Sequence, residues 1–83
     1  MNLNRLKTVL EICANFEATT YSMLEAAAYA KGVPKNSLIR HLRIAGRLGL
    51  IGMTRDGRHN IYTVTDLGLG VLKHLNDGRE DDV

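Results

Sequence analysis

No tryptophan occurs among the 83 residues, and three tyrosines and one phenylalanine bring the aromatic content to only 5%. The core must therefore be aliphatic, built from leucine, isoleucine, valine and alanine. A single cysteine, Cys13, excludes an intrachain disulfide and any cysteine-based metal site. It reads as a small buried apolar side chain on the first helix. One proline and a hydrophobic share of 45% describe a globular chain, not a disordered one. No apolar run reaches the roughly 18 residues of a membrane span and no secretory core is visible, so a cytoplasmic protein is expected. Catalytic signatures are missing too. There is no HExxH, no Gly-rich phosphate loop and no nucleophile elbow. His41, His59 and His74 fall on three separate elements and read as packed or solvated, and paired carboxylates occur only in the polar C-terminal stretch. No enzyme activity, cofactor or metal is expected, and nothing indicates a small-molecule ligand.

What the chain does have is positive charge in one place. The net charge is only +2. Between Lys31 and His59, however, Lys31, Lys35, Arg40, Arg43, Arg47, Arg55 and Arg58 face Asp56 alone, whereas Asp66, Asp77, Glu80, Asp81 and Asp82 outnumber Lys73 and Arg79 beyond it. A cationic middle third is the footprint expected of a nucleic-acid partner. At this length about 60% or slightly more of the unfolded chain's surface is buried on folding, which leaves little room for a large cleft and makes dimerisation a natural supplement.

Taken in order, residues 3–16 read as a helix with a wide apolar face of Leu3, Leu6, Val9, Leu10, Cys13 and Phe16, capped by Asn2 or Asn4. That face either forms a dimer surface or wraps the domain. Residues 18–21 allow a short strand. Ser22-Met23-Leu24-Glu25 matches a capping box that opens a second helix, whose Ala26-Ala27-Ala28 run permits close helix approach and which ends at Gly32. Pro34 pre-sets the start of a third helix but brings no capping side chain, a loss of about 1 kcal/mol. This helix runs to Leu48, with Leu38, Leu42, Ala45 and Leu48 (or Gly49) on one face and Asn36, Arg40, Arg43 and Arg47 on another. Gly46 inside it costs about 1 kcal/mol relative to alanine. Residues 50–55 and 60–65 read as strands joined through Asp56-Gly57-Arg58-His59, a hairpin signal. Thr65 is the expected cap of a last helix over 66–75, in which Gly68 and Gly70 lower the helix propensity. The expected division is a domain over 1–76 and an acidic, disordered tail over 77–83.

The order of helix, short strand, helix, turn, basic helix, hairpin and helix predicts a mainly α fold with a small β-hairpin (α+β), a winged helix-turn-helix. Ala27 to Leu50, with its Ala-x4-Gly-Val turn, resembles the helix-turn-helix of bacterial, archaeal and phage regulators. Asp56-Gly57-Arg58, five residues, Val64-Thr65, two residues and Gly68 resembles the wing signature of the multiple-antibiotic-resistance (MarR) type of regulator, Asp-x-Arg-x5-Leu-Thr-x-x-Gly, with Val64 in place of leucine. The resemblance spans Tyr21 to Leu75. Full-length members add long helices at both ends, so a minimal phage-, plasmid- or archaeal-sized regulator is the nearer comparison. The resemblance implies a wing tip at Arg58 reaching the minor groove. It also implies an Asp56 carboxylate beside it that pairs with a recognition-helix arginine, and a reading edge at Asn36, Ser37 and Arg40.

The chemistry of these residues gives the same expectation independently. The major groove, about 12 Å wide, admits one helix. Asn36 suits adenine and Arg40 or Lys35 suits guanine in bidentate pairs. Ser37 suits a phosphate or a base edge, Ile39 either packs in the core or touches a thymine methyl, and Arg43 and Arg47 lie farther along, where phosphate is nearer. Arg55, Arg58 and His59 form a wing cluster suited to a narrow minor groove. The alternatives are a solvated helix face and a charged hairpin tip that keeps the sheet edge soluble. The expected function is sequence-specific binding of double-stranded DNA as a transcriptional regulator, with a homodimer formed through the first or last helix. The alternatives are a protein-interaction adaptor and a replication or recombination accessory.

Overall fold

Seven elements follow one another in a computed structural model that describes residues 2–16 and 18–81, with side chains as far as Asp77. They are α1 (Leu3–Asn15), β1 (Thr19–Thr20), α2 (Tyr21–Ala30), α3 (Lys35–Arg47), β2 (Ile51–Asp56), β3 (His59–Val64) and α4 (Asp66–Asp81). The strands form one antiparallel sheet in the order β1-β3-β2. This is the winged helix-turn-helix arrangement, with β2 and β3 as the wing.

Helix α1 starts at Asn2, whose side-chain oxygen accepts from the backbone of Asn4 at 3.0 Å and Arg5 at 3.2 Å. Its buried stripe is Leu6, Val9, Leu10, Ile12 and Cys13. The expected face was wider at both ends: Leu3 and Phe16 are exposed, and Ile12 is buried instead. Leu3 and Phe16 lie at and just beyond the helix ends, where no neighbouring element covers them.

The capping box at Ser22 does not form. Strand β1 carries extended backbone only as far as Thr20, so α2 begins at Tyr21, two residues before the start a Ser22 cap implies, and Thr20 Oγ1 accepts from Met23 N at 3.3 Å. Ser22 already lies inside the first turn, exposed. Both α2 and α3 end in the same way. Gly32 and Gly49 take left-handed backbone (φ +84° and +75°). Val33 N then donates to Ala28 O and Leu50 N to Ala45 O, each at 2.8 Å, closing two Schellman motifs. Val33 and Leu50, the residues after each glycine, are buried in the core.

On α3 the inward face is Leu38, His41 and Ala45. Leu42 is half-buried and Leu48, expected on that face, is exposed. The hairpin turns at Gly57-Arg58, with Asp56 opposite His59, so the strands run one residue farther toward the tip than expected on each side. By alternation, Ile51, Met53 and Arg55 share one sheet face with Val64, Tyr62 and Asn60. Ile51, Tyr62 and Val64 belong to the core packing, while Met53 and Arg55 run past it.

The start of α4 is bolted to the end of α3. Thr65 N donates to Leu50 O at 3.0 Å, and the Thr65 hydroxyl donates to Gly49 O at 2.6 Å while accepting from Gly68 N at 3.0 Å. Gly68 sits on the Leu50 carbonyl with no room for a Cβ. The Thr65-x-x-Gly68 pattern thus caps the helix and lets it touch the backbone beneath. Helix α4 continues to Asp81, beyond the expected end at Leu75. The last two residues of the acidic stretch, 82–83, lie outside the described residues. Among the described residues no helix is long and apolar enough to cross a membrane.

Candidate nucleic-acid interface

At 3.6 residues per turn, Asn36, Arg40, Arg43 and Arg47 fall opposite the buried line of Leu38, His41 and Ala45. All four are exposed, as is Lys35 at the helix start. No side chain caps α3, which leaves its first amides open to solvent on the same end. On the wing, Arg55, Arg58 and His59 are all exposed at and beside the turn. Arg55 Nε donates weakly to Gly57 O at 3.4 Å, folding the side chain back along the tip.

These cations have no counter-charge within ion-pair distance among the described residues. Among the described residues the one ion pair within 4.0 Å is Lys7–Glu11, at 3.8 Å on α1. The expected pairing of Asp56 with a recognition-helix arginine is therefore absent. Asp56 lies opposite His59 at the end of the ladder, and its exposed side chain holds no cation of α3.

Two flanks border the exposed ridge of α3. On the sheet side lies a cleft of about 490 Å³, walled by Ile39, Leu42, Arg43 and Arg47 from α3 and by Met53 and Tyr62 from the wing. It is apolar in its depth and cationic on the helix edge. Ile39, 37% exposed, lines this cleft and so is neither core nor part of the outermost ridge. Gly46 also lines it, and a Cβ there would meet nothing within 4 Å. The glycine thus has no steric cause within the protein. The Tyr21 hydroxyl, at the cleft's wall, is buried without a hydrogen-bond partner. Burial first, and the Glu25 carboxylate second, push its pKa above the ordinary tyrosine value, although the contact with Glu25 falls outside hydrogen-bond geometry. At neutral pH it is a protonated donor.

On the opposite flank the sequence reading placed only Ser37, and the structure changes its role. Ser37 is half-buried and its Oγ accepts from Arg5 Nη1 of α1 at 2.9 Å. Its carbonyl lies 2.7 Å from His41 Nδ1, and His41 Nε2 accepts from Asn2 N at 3.2 Å. These partners assign the neutral imidazole with hydrogen on Nδ1. Ser37 is therefore engaged in holding α1 against α3 and is not a free reader of bases.

Sequence reasoning missed Arg5 and Tyr29. Arg5 borders the start of α3, and Tyr29, 77% exposed, stands near Lys35 on one side and near Arg5 and Pro34 on the other. Only the tertiary crossing of α1 brings Arg5 there, and no local pattern announces it. Among the described residues no group of three or more histidine, cysteine or acidic side chains could hold a metal ion. No protein-family model matches the chain, and no curated protein matches it.

Proposed function

We propose that this protein is a cytoplasmic, non-enzymatic regulator that binds double-stranded DNA sequence-specifically, in the manner of the winged-helix regulators its Asp56-to-Gly68 stretch resembles. The observation that carries this reading is the ridge of Asn36, Arg40, Arg43 and Arg47, exposed on one helix and without acidic partners among the described residues. Isolated cations on a rigid helix end are placed at little entropic cost, and an anionic duplex supplies the missing counter-charge. In this reading Lys35, Asn36 and Arg40 meet base edges in the major groove, and Arg43 and Arg47 meet phosphates. Arg55, Arg58 and His59 follow the neighbouring minor groove or backbone. The cleft beside Gly46 seats the sugar–phosphate strand between helix and wing, where a missing side chain lets the backbone come close. Exposed Leu3 on α1, Phe16 just past its end, and Leu67 and Leu69 on α4 support a homodimer through these helices.

The apolar depth of the same cleft, with Ile39 and Met53 accessible, favours a second reading as a protein-interaction adaptor. Fluorescence anisotropy with a mixed-sequence duplex separates the two. For DNA binding, log affinity falls with log salt at a slope of roughly −4 per subunit, from four or five neutralised phosphates. Arg40→Ala and Arg58→Ala each weaken binding by about tenfold, the loss of one good contact of about 1.4 kcal/mol. Salt-independent affinity, or unchanged binding in both variants, would leave the adaptor reading in possession. Light scattering of the free protein decides the dimer.

A further inference from the structure

We propose that Arg5, on the first helix, is a phosphate-binding residue of the same surface, held in place by Ser37. The inference rests on the DNA-binding reading above. Asn2 and Arg5 of α1 and Asn36, Ser37, Arg40 and His41 of α3 enclose a polar recess of about 390 Å³ at the foot of the recognition helix. Among the described residues no acidic side chain lines it. Two guanidinium groups thus border one recess with no carboxylate within 4.0 Å among the described residues. Arg5 is half-buried, and withdrawing a cation from water without an anionic neighbour is costly until an anion arrives.

The geometry fixes Arg5 rather than leaving it to wander. Nη1 donates to Ser37 Oγ at 2.9 Å, and Ser37 is held through His41 to Asn2, so α1 and α3 present their polar ends as one unit. One guanidinium nitrogen is committed to the serine, and the remaining N–H donors of the fork are free for a tetrahedral oxyanion. Arg40 lines the same recess and stands on the exposed ridge, so an anion held by both continues the footprint of α3 toward α1. A backbone phosphate of the duplex has the charge and the oxygens for this recess. It would be gripped on the flank of α3 opposite the wing, and the helix would be braced from both sides. Arg5 carries no base information in this role; it sets register and contributes affinity.

The test is anisotropy with a fluorescein-labelled mixed-sequence duplex over a salt series, using the full chain and the variants Arg5→Gln, Ser37→Ala and Arg40→Ala. Glutamine keeps a stem and a donor for Ser37 while removing the charge, and thermal melting checks that the fold persists. Arg5→Gln should weaken binding about five- to tenfold and reduce the salt slope by about one. Ser37→Ala should lower affinity severalfold with the slope unchanged, because the cation remains but is no longer held. If the full chain binds and Arg40→Ala weakens it while Arg5→Gln keeps both affinity and slope, Arg5 is only a strut between helices and the inference fails alone. If the full chain does not bind duplex, the functional reading itself fails. Inorganic phosphate at matched ionic strength should not displace the duplex. Displacement would assign the recess to free phosphate and overturn the backbone assignment.

Discussion

The two ends of α3 are built on opposite terms. At the C-terminal end the backbone finds partners inside the protein. Leu50 N reaches Ala45 O, and Gly49 O and Leu50 O accept from the Thr65 hydroxyl and amide. Gly68 packs directly against the Leu50 carbonyl. At the N-terminal end and along the outer face, Pro34 offers no cap and Lys35, Asn36, Arg40, Arg43 and Arg47 stand in solvent. Gly46, near the helix end, touches nothing through its missing side chain. The contrast separates residue choices with a cause inside the fold from those without one. Gly49, Thr65 and Gly68 answer to architecture. The cations and Gly46 answer to nothing among the described residues, and the proposed duplex is what would account for them.

The seam gives the largest expected effect. A Cβ on Gly68 would collide with the Leu50 carbonyl oxygen and come within 2.8 Å of Val64 Cγ2. The first of these is backbone, pinned by Thr65 N, and cannot yield as a flexible side chain would. Gly68→Ala should therefore destabilise by about 3 kcal/mol, at the upper end for overpacking, despite alanine's better helix propensity. Urea unfolding measures it. A neutral or stabilising result would mean that α4 can lift off the seam, and the two ends of α3 would differ less than described.

The burial that closes the seam side extends into the core, and it has a pH signature. Burial pushes the Cys13 thiol from an ordinary 9.0 up to about 11. The folded state thus keeps a proton that the unfolded chain releases. The contribution is complete below about pH 9 and is lost as pH rises toward 11, a fall on the order of 2 kcal/mol. Comparing urea midpoints of wild type and Cys13→Ala at about pH 8 and about pH 10.5 isolates this group, since other titrations cancel between the two chains. Parallel pH profiles would show that the thiol is less enclosed than its 1% exposure implies.

The same division explains what could be read from the sequence. Local causes were legible. Gly32 ended α2, Asp56-Gly57-Arg58 placed the hairpin, and Thr65 capped α4, because each acts within a few residues of itself. The four exposed groups of α3 were legible from spacing alone. What escaped depends on how elements meet. Thr20 displaced Ser22 as a cap because β1 pairs with β3, a partner some 40 residues away by register (Thr20 with Ile61). Ile12 replaced Phe16 in the core because the helix ends before Phe16 can turn inward. Ser37 looked like a base reader until α1 brought Arg5 to it across 32 positions of sequence. The cleft beside Gly46 needs both helix and wing to exist.

Gly46 offers the smallest effect on the fold and the sharpest test of the comparison, because its two consequences have opposite signs. With open space above it, alanine gains helix propensity at no steric cost, so Gly46→Ala should stabilise by about 1 kcal/mol and raise Tm by about 4–8 °C. If the cleft seats a sugar–phosphate strand, the same methyl keeps that strand from the helix surface, and duplex affinity should fall severalfold while stability rises. Gly46→Leu separates the contributions. Leucine is nearly as good a helix former, so the fold should remain at least as stable as wild type, but its side chain fills the cleft between Arg43 and Met53. Binding should then fall by about tenfold or more, close to the loss of a full contact. Both variants binding as tightly as wild type would show that the glycine answers to no partner in this cleft. The outer face of α3 would then act through its cations alone.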